Sequence, residues 1–436
     1  MVGRVVDTAE VVLWGRRIGA VCWDAADQLA VFEYDPVFRH SGIELAPMTM
    51  PLGPRIYRFP DLRKSPFRGL PGLLADSLPD GFGNAIIDQW LIREGHDRTS
   101  FSPIERLCYI GNRGMGALEF RPAIRNTTRG SVPLDVGALV TLAQHVHDLR
   151  DGIKIRLTAD KRGYAKSLDD ILRVGTSAGG ARAKAVVAWN PETREMRSGQ
   201  VVAPAGFEYW LLKFDGVEHR EHGRHEPPGY GRIEYAYALM ARAAGIVMTD
   251  CHLLHENGRS HFMAKRCDRT DSGDKIHRQS LSAMAHLDHR LAGAHSYEQA
   301  FAVMVQLGLS EQVFAEQFRR LAFNIIARNQ EDHTNNIAYL MDKSGRWTLA
   351  PAFNVIWAYD PTDDRTNRHQ MTVNGLRDNF TRDDLLGVAG RFHISRPADI
   401  IDTVQSAVAR WPEFAGEAGV RTDIAGRIAA THRILE

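Results

Sequence analysis

The run SEQVFAEQFRRLAFNIIARN sets Val313, Phe314, Phe318, Leu321, Ile325 and Ile326 on one helical stripe, then passes without a glycine or proline into EDHTNN at 331–336. That junction constrains the fold more than any other feature. The stripe must face a core, and the edge of that core must then hold two acids, a histidine and two amides in fixed places. Ser310 stands where an N-cap belongs. Beyond the polar run, two short apolar stretches flank Lys343-Ser344-Gly345, which reads as strand, turn, strand. Packing alone rarely asks for such a cluster at the end of a long helix, so chemistry is expected there.

The rest of the chain divides by pattern. EVVLWGRRIGAVCWD and LAVFEYD read as three strands within 10–35. DSLPDGFGNAIIDQWLIREG has a Pro-Asp-Gly entry and a helical stripe at Ile86, Ile87, Trp90 and Leu91. A short helix and the glycine-rich GNRGMGALEF fill 103–120, and RNTTRGSVP (125–133) reads as a boundary. The next region runs from the glycine-rich GTSAGGARAK (175–184) through the strands AVVAW and EYWLLKFD (208–215). A polar, proline-containing loop follows, then the helix RIEYAYALMARAAGI (232–246) and the strand HFMAKRCDR (261–269). From about 280 the pattern is mainly helical.

Taken in order, the pieces suited to chemistry are Lys184 at the end of the glycine-rich loop, Lys213 in a strand, Glu234 in a helix, then Glu331-Asp332-His333 with Asn336, and a polar residue after Pro351. Phosphoryl transfer uses such parts. Backbone N–H groups and a lysine hold phosphates, an acid orients the attacking hydroxyl, and amide and carboxylate oxygens hold magnesium. Each piece also has a plainer reading. GTSAGGARAK lacks the Gly-Lys-Ser/Thr ending of a Walker loop and reads equally as a turn. Lys213 reads as an edge residue with its head in water, and Glu234 as a surface acid. His219, His222 and His225 lie in a polar loop and read as surface. Asn367-Arg368-His369-Gln370 reads as a solvated loop. A metal-dependent hydrolase built on Asp332 and His333 would need a second ligand cluster, which the sequence does not display. EDHTNN is the piece hardest to explain by packing.

IIARNQEDHTNNIAYLMDKSGRWTLAPAFNVI (325–356) resembles the core of HipA-like serine/threonine kinases, the toxins of bacterial type II toxin–antitoxin pairs. Those carry Asn-x-Asp-Asp-His-x-Lys-Asn and, further on, Trp-x-Leu-x-Pro-Ala-Phe/Tyr-Asp. SLPDGFGNAIIDQWL (77–91), GNRGMGALEF, GTSAGGARAKA, WLLKFD, MAKRCDR and QSLSAMAHLD (279–288) are similar to other family motifs, in the same order, so the resemblance spans nearly the whole chain.

The resemblance implies an α+β, two-lobed kinase-like fold in three parts. These are a β-rich N-terminal subdomain (1–125), an ATP-binding portion with the glycine-rich loop (126–268) and a helical lobe with the catalytic loop (269–436). It implies ATP and Mg²⁺ as cofactors. Lys213, Lys184, Gly179 and Gly180 would serve the phosphates, and Met263 to Asp268, with Arg266 and Cys267, the adenine side. Asn336 and Asn354 stand at the metal positions, Glu331, Asp332 and His333 in the catalytic loop, and Ser177 where such kinases phosphorylate themselves. It further implies a HipB-like helix-turn-helix antitoxin as partner, operator DNA reached mainly through it, and a protein substrate such as an aminoacyl-tRNA synthetase.

Three departures bear on activity. Glu331 stands where the family has its catalytic aspartate, two residues before the histidine and five before the asparagine; Asn354 replaces the metal-binding aspartate; Asn335 replaces a lysine. A misplacement of about 1 Å can cost roughly a hundredfold in rate, and an amide at Asn354 brings no charge to a dication. A catalytically inactive variant that binds its antitoxin is therefore the alternative to an active kinase. Lysine plus arginine (54) nearly cancels aspartate plus glutamate (53), so DNA contact is expected chiefly from the partner. The four cysteines form no CxxC pair, no apolar run of roughly 18 residues occurs, and the N-terminus lacks a signal-peptide pattern, so a cytoplasmic protein that does not enter membranes is expected.

Overall fold

The computed structural model describes residues 6–62, 66–79, 81–97, 100–124, 133–150, 182–217 and 229–436. The chain forms two compact units. One comprises Met1–Gly42, Leu52–Gly231 and His252–His277; the other Ile43–Pro51, Arg232–Cys251 and Arg278–Glu436.

The first unit holds two sheets. Strands β1 (Thr8–Leu13), β2 (Arg16–Asp24), β3 (Leu29–Tyr34), β4 (Ile56–Tyr57) and β5 (Leu118–Arg121) lie in the order β4-β3-β2-β1-β5, each neighbouring pair antiparallel. The β1–β2 turn is Trp14-Gly15, both in the left-handed region at φ 48° and 79°. That backbone matches the right-handed twist of a two-residue hairpin. Helices α1 (Gly72–Ala75), α2 (Gly81–Arg93) and α3 (Pro103–Ile110) lie in the chain between β4 and β5. A capping box starts α3: the Ser102 hydroxyl accepts from the Glu105 N–H (3.2 Å) and the Glu105 carboxylate from the Ser102 N–H (2.8 Å).

After α4 (Val136–Arg150) come β6 (Lys184–Trp189), β7 (Met196–Ser198), β8 (Glu208–Lys213), β9 (Cys251–Glu256) and β10 (Arg259–Lys265), in the order β7-β6-β8-β10-β9. Apolar side chains of this sheet, Val187, Trp210, Leu212 and Met263 among them, pack with Ile87, Trp90 and Leu91 of α2 into one core.

The second unit is mainly helical. Helix α5 (Tyr230–Ala243) enters it at Arg232. Strand β11 (His277–Ser280), α6 (Leu281–Ala285), β12 (His295–Ser296), α7 (Tyr297–Gln306) and α8 (Glu311–Ile326) precede the hairpin β13 (Ala338–Met341) and β14 (Trp347–Leu349). The sheet order is β11-β13-β14, and β12 pairs in parallel with β15 (Met371–Thr372). Helices α9 (Arg382–Arg391), α10 (Pro397–Ala409), α11 (Trp411–Glu417) and α12 (Thr422–Ala429) complete it. The stripe of α8 is buried as expected at Phe314, Phe318, Leu321, Ile325 and Ile326, and α8 packs on α10. Two local expectations fail. Ser310 takes the N-cap position with extended backbone, but its side chain makes no capping hydrogen bond. Glu234 is not a surface acid: it is buried in α5, 2% exposed. Among the described residues no helix is long and apolar enough to cross a membrane.

Candidate functional site

Helix α8 stops at Ile326, and the chain turns through Arg328, whose φ is +58°. The Ala358 N–H donates to the Arg328 carbonyl (3.1 Å), and the Gln330 N–H donates to the Ala358 carbonyl (3.2 Å), a short parallel bridge that fixes where EDHTNN begins. A tight turn over Thr334–Asn336 then leads into β13. The helix and the hairpin therefore hold the polar segment from both ends.

Asp332 is the anchor of the segment. Its side chain is fully buried and accepts hydrogen bonds from the Tyr297 hydroxyl (2.9 Å), from Nδ1 of His369 (2.8 Å) and from the Gln370 N–H (2.8 Å). Burial by itself would raise this carboxyl; the His369 ring and the three hydrogen bonds outweigh it and hold the pKa below the ordinary carboxylate value. Tyr297 is tied in turn to α8, its oxygen accepting from Asn324 Nδ2 (3.0 Å). Glu331, one residue earlier, is half-buried. His333 is half-buried as well, with Nδ1 lacking a hydrogen-bond partner and its ring 5.4 Å from that of His289. Burial lowers the pKa of both imidazoles, that of His289 to about 4 with His333 adding to the effect, so both are neutral at pH 7.

Asn336 and Asn354 meet. Asn336 Nδ2 donates to the Glu331 carbonyl (2.8 Å), and Asn336 Oδ1 accepts from Asn354 Nδ2 (2.9 Å). Asn354 sits at φ +53°, a conformation that asparagine tolerates better than most residues. This pair does not fit a magnesium ion. Magnesium in such a site takes at least one carboxylate beside an amide oxygen and substrate phosphates, whereas these two positions offer neutral amides only, with Asn354 Nδ2 directed at Asn336 Oδ1. Asp332, the adjacent carboxylate, is engaged by three donors. Among the described residues no group of three histidine, cysteine, aspartate or glutamate side chains is arranged to hold a metal ion.

The first unit carries the other expected residues. Lys213 lies on β8, an interior strand rather than an edge, and is the direct antiparallel partner of Lys184 on β6. Directly paired residues share a face of the sheet, so the two lysines stand on one face, Lys184 buried and Lys213 half-buried, with Lys213 Nζ 5.6 Å from the Phe262 ring centre. Arg266 is buried, and its guanidinium grips Asp268 at 2.8 and 2.6 Å. Met263 belongs to the core, and Cys267 is half-buried. Ser177, Gly179 and Gly180, with His219, His222 and His225, lie outside the described residues.

His369 and Gln370 were read from the sequence as part of a solvated loop. His369 is instead 1% exposed, and both residues bind Asp332. With Tyr297 they are the residues that sequence reasoning missed. Their polar neighbours gave a hint of function, but nothing in local pattern links them to a carboxylate more than thirty positions away.

Comparison with known proteins shows the family and the fold. A model of the HipA-like C-terminal domain matches residues 176–411, and one of the HipA N-terminal domain matches residues 9–121. HipA from the Shewanella oneidensis MR-1 toxin–antitoxin complex of HipA, HipB and operator DNA shares the fold. It aligns over 97% of this chain and 94% of its own, at TM-score 0.66 and 16% identity. The Helicobacter pylori proinflammatory kinase CtkA aligns over 58% of this chain and 93% of its own at TM-score 0.35 and 14% identity, too distant to carry an argument. A search of curated proteins finds no match.

Proposed function

Because this chain belongs to the HipA-like family, we propose that it is the kinase-fold half of a toxin–antitoxin pair, held by a HipB-like antitoxin and working by binding rather than by phosphoryl transfer. The observation that carries this reading is the hydrogen bond from Asn354 to Asn336. At the two positions where the family's kinases hold their metal, the amides bind each other. Operator DNA would be reached through the antitoxin, since a chain with net charge +1 has little general attraction for phosphates.

One observation favours a second reading, an active serine/threonine kinase acting on a protein such as an aminoacyl-tRNA synthetase. Glu331 keeps a carboxylate beside the anchored Asp332, and its backbone carbonyl is held by Asn336. In that reading Lys184 and Lys213 would take the phosphates of ATP, and Ser177 would accept a phosphate.

Incubation with ATP and magnesium, followed by intact-mass measurement, separates the two. The binding reading expects no phosphate on Ser177 and none on a synthetase, even at high protein concentration; labelling of either overturns it. The double variant Glu331→Asp with Asn354→Asp should then gain Mg²⁺-dependent labelling and toxicity in cells. A double variant that folds but stays inert would show that the lesion lies elsewhere.

A further inference from the structure

The last carbonyls of a helix have no partner within it, and at the end of α8 the segment that follows α12 supplies one. The Arg433 N–H donates to the Ile326 carbonyl (2.9 Å). The next carbonyl, that of Ala327, accepts from the Tyr237 hydroxyl of α5 (2.7 Å). Tyr237 has only that one hydrogen to give, so at His432 Nε2 (3.1 Å) its oxygen accepts, and the imidazole carries a proton on Nε2. Arg328 and Arg433 both reach Asp378 Oδ1, the former at 3.7 Å. Their backbones also adjoin the negative end of the α8 dipole, where cations are favoured.

Thr431 touches both flanks of the parallel bridge at which EDHTNN begins. Its carbonyl accepts from Arg328 Nε (2.8 Å), 103 positions away in sequence. Its hydroxyl accepts from Trp357 Nε1 (3.0 Å), 74 positions away, and donates to the Ile428 carbonyl (2.7 Å). Arg328 gives the bridge one of its carbonyls, and Trp357 directly precedes Ala358, which gives the other. A two-stranded pairing is marginal by itself, so support from outside matters here. The segment is itself pinned to α10: Leu435 is buried, and its N–H donates to Gln405 Oε1 (2.7 Å).

We infer that Thr431–Arg433 is a positioning strap for the candidate site. By holding the end of α8 and both flanks of the bridge, it sets where Glu331 to Asn336 begin, and opening it loosens them together. By reciprocity, whatever orders Glu331 to Asn336 tightens the strap. The strap serves that segment whether or not phosphate is transferred.

Hydrogen exchange of the whole chain, read by mass spectrometry, tests it. Thr431→Val removes both side-chain hydrogen bonds at nearly constant shape. Exchange across 328–336 and at Ala358 is then expected to quicken about tenfold, with the first unit and α9 unaltered. Thr431→Ser, which keeps the hydroxyl, should restore the original rate. Unchanged exchange in the valine variant would overturn the proposal. So would acceleration spread evenly over the second unit, or a serine variant as fast as the valine one. If Thr431→Val fails to fold, exchange of the unaltered protein in rising urea decides. The amides of Gln330, Ala358 and Arg433 should open together with one free energy; Arg433 opening while the other two stay closed refutes the strap.

Discussion

Two aspartates, one in each unit, are completely buried, and they are held in different ways. Asp268 accepts from Arg266 through two nitrogens, from Arg269 Nη1 (2.8 Å) and from the Gly116 N–H (2.7 Å). Arg269 also donates to the carbonyls of Gly114 and Gly116. The two motifs GNRGMG and MAKRCDR, far apart in sequence, are thus a single charged joint of the first unit. Asp332 has no arginine on it; a phenol, an imidazole and a backbone N–H hold it. A joint of full charges resists change because each partner stranded by a mutation is a buried ion. A carboxylate held by a phenol, an imidazole and a backbone N–H instead of guanidinium groups is fixed by directional hydrogen bonds from three separate parts of the second unit.

Mutations rank the two joints. Asp268→Asn strands two buried guanidinium groups and should remove about 3–5 kcal/mol from the first unit's stability, read as a lower urea midpoint; a loss no greater than that of an exposed aspartate would break the contrast. Tyr297→Phe deletes one donor to Asp332 and the acceptor of Asn324, and about 1–2 kcal/mol is expected. The same variant should leave the first unit's transition untouched.

Acid sharpens the comparison. Burial tends to raise both carboxyls, but arginines in one case and His369 with the hydrogen bonds in the other bring the folded pKa below the unfolded value. Their stabilisation is therefore complete above the unfolded carboxylate pKa, about 3.9, and is lost as pH falls below it. Asp268→Asn and Asp332→Asn should each flatten the fall in stability below about pH 4; an unchanged acid limb in either variant would remove that aspartate from the account. The smallest effect is expected at Ser310→Ala. N-cap replacements commonly cost about 1 kcal/mol, but the Ser310 side chain makes no capping bond, so the melting midpoint should barely move.

Much of the architecture was legible because it is written in local periodicity. The stripe of α8, the alternation in β1 to β3 and the turn at Lys343-Ser344-Gly345 each depend on neighbours within a few residues. The candidate site was legible in part. Glu331, Asp332, His333 and Asn336 lie within six residues of each other, whereas Asn354 is picked out by the family resemblance and not by any local pattern. Glu234 misled because helical pattern does not say what a helix packs against.

The sequence by itself determined that a long helix empties into a polar loop with two acids, a histidine and two amides. Only the tertiary structure decided what those groups do. Asp332 became an anchor because Tyr297 and His369 converge on it, and Asn336 accepts a hydrogen bond from Asn354. Burial removes water as the alternative partner, so each polar group must be matched by whichever donor or acceptor the fold delivers. That choice is made across long sequence separations, where no local pattern reports it.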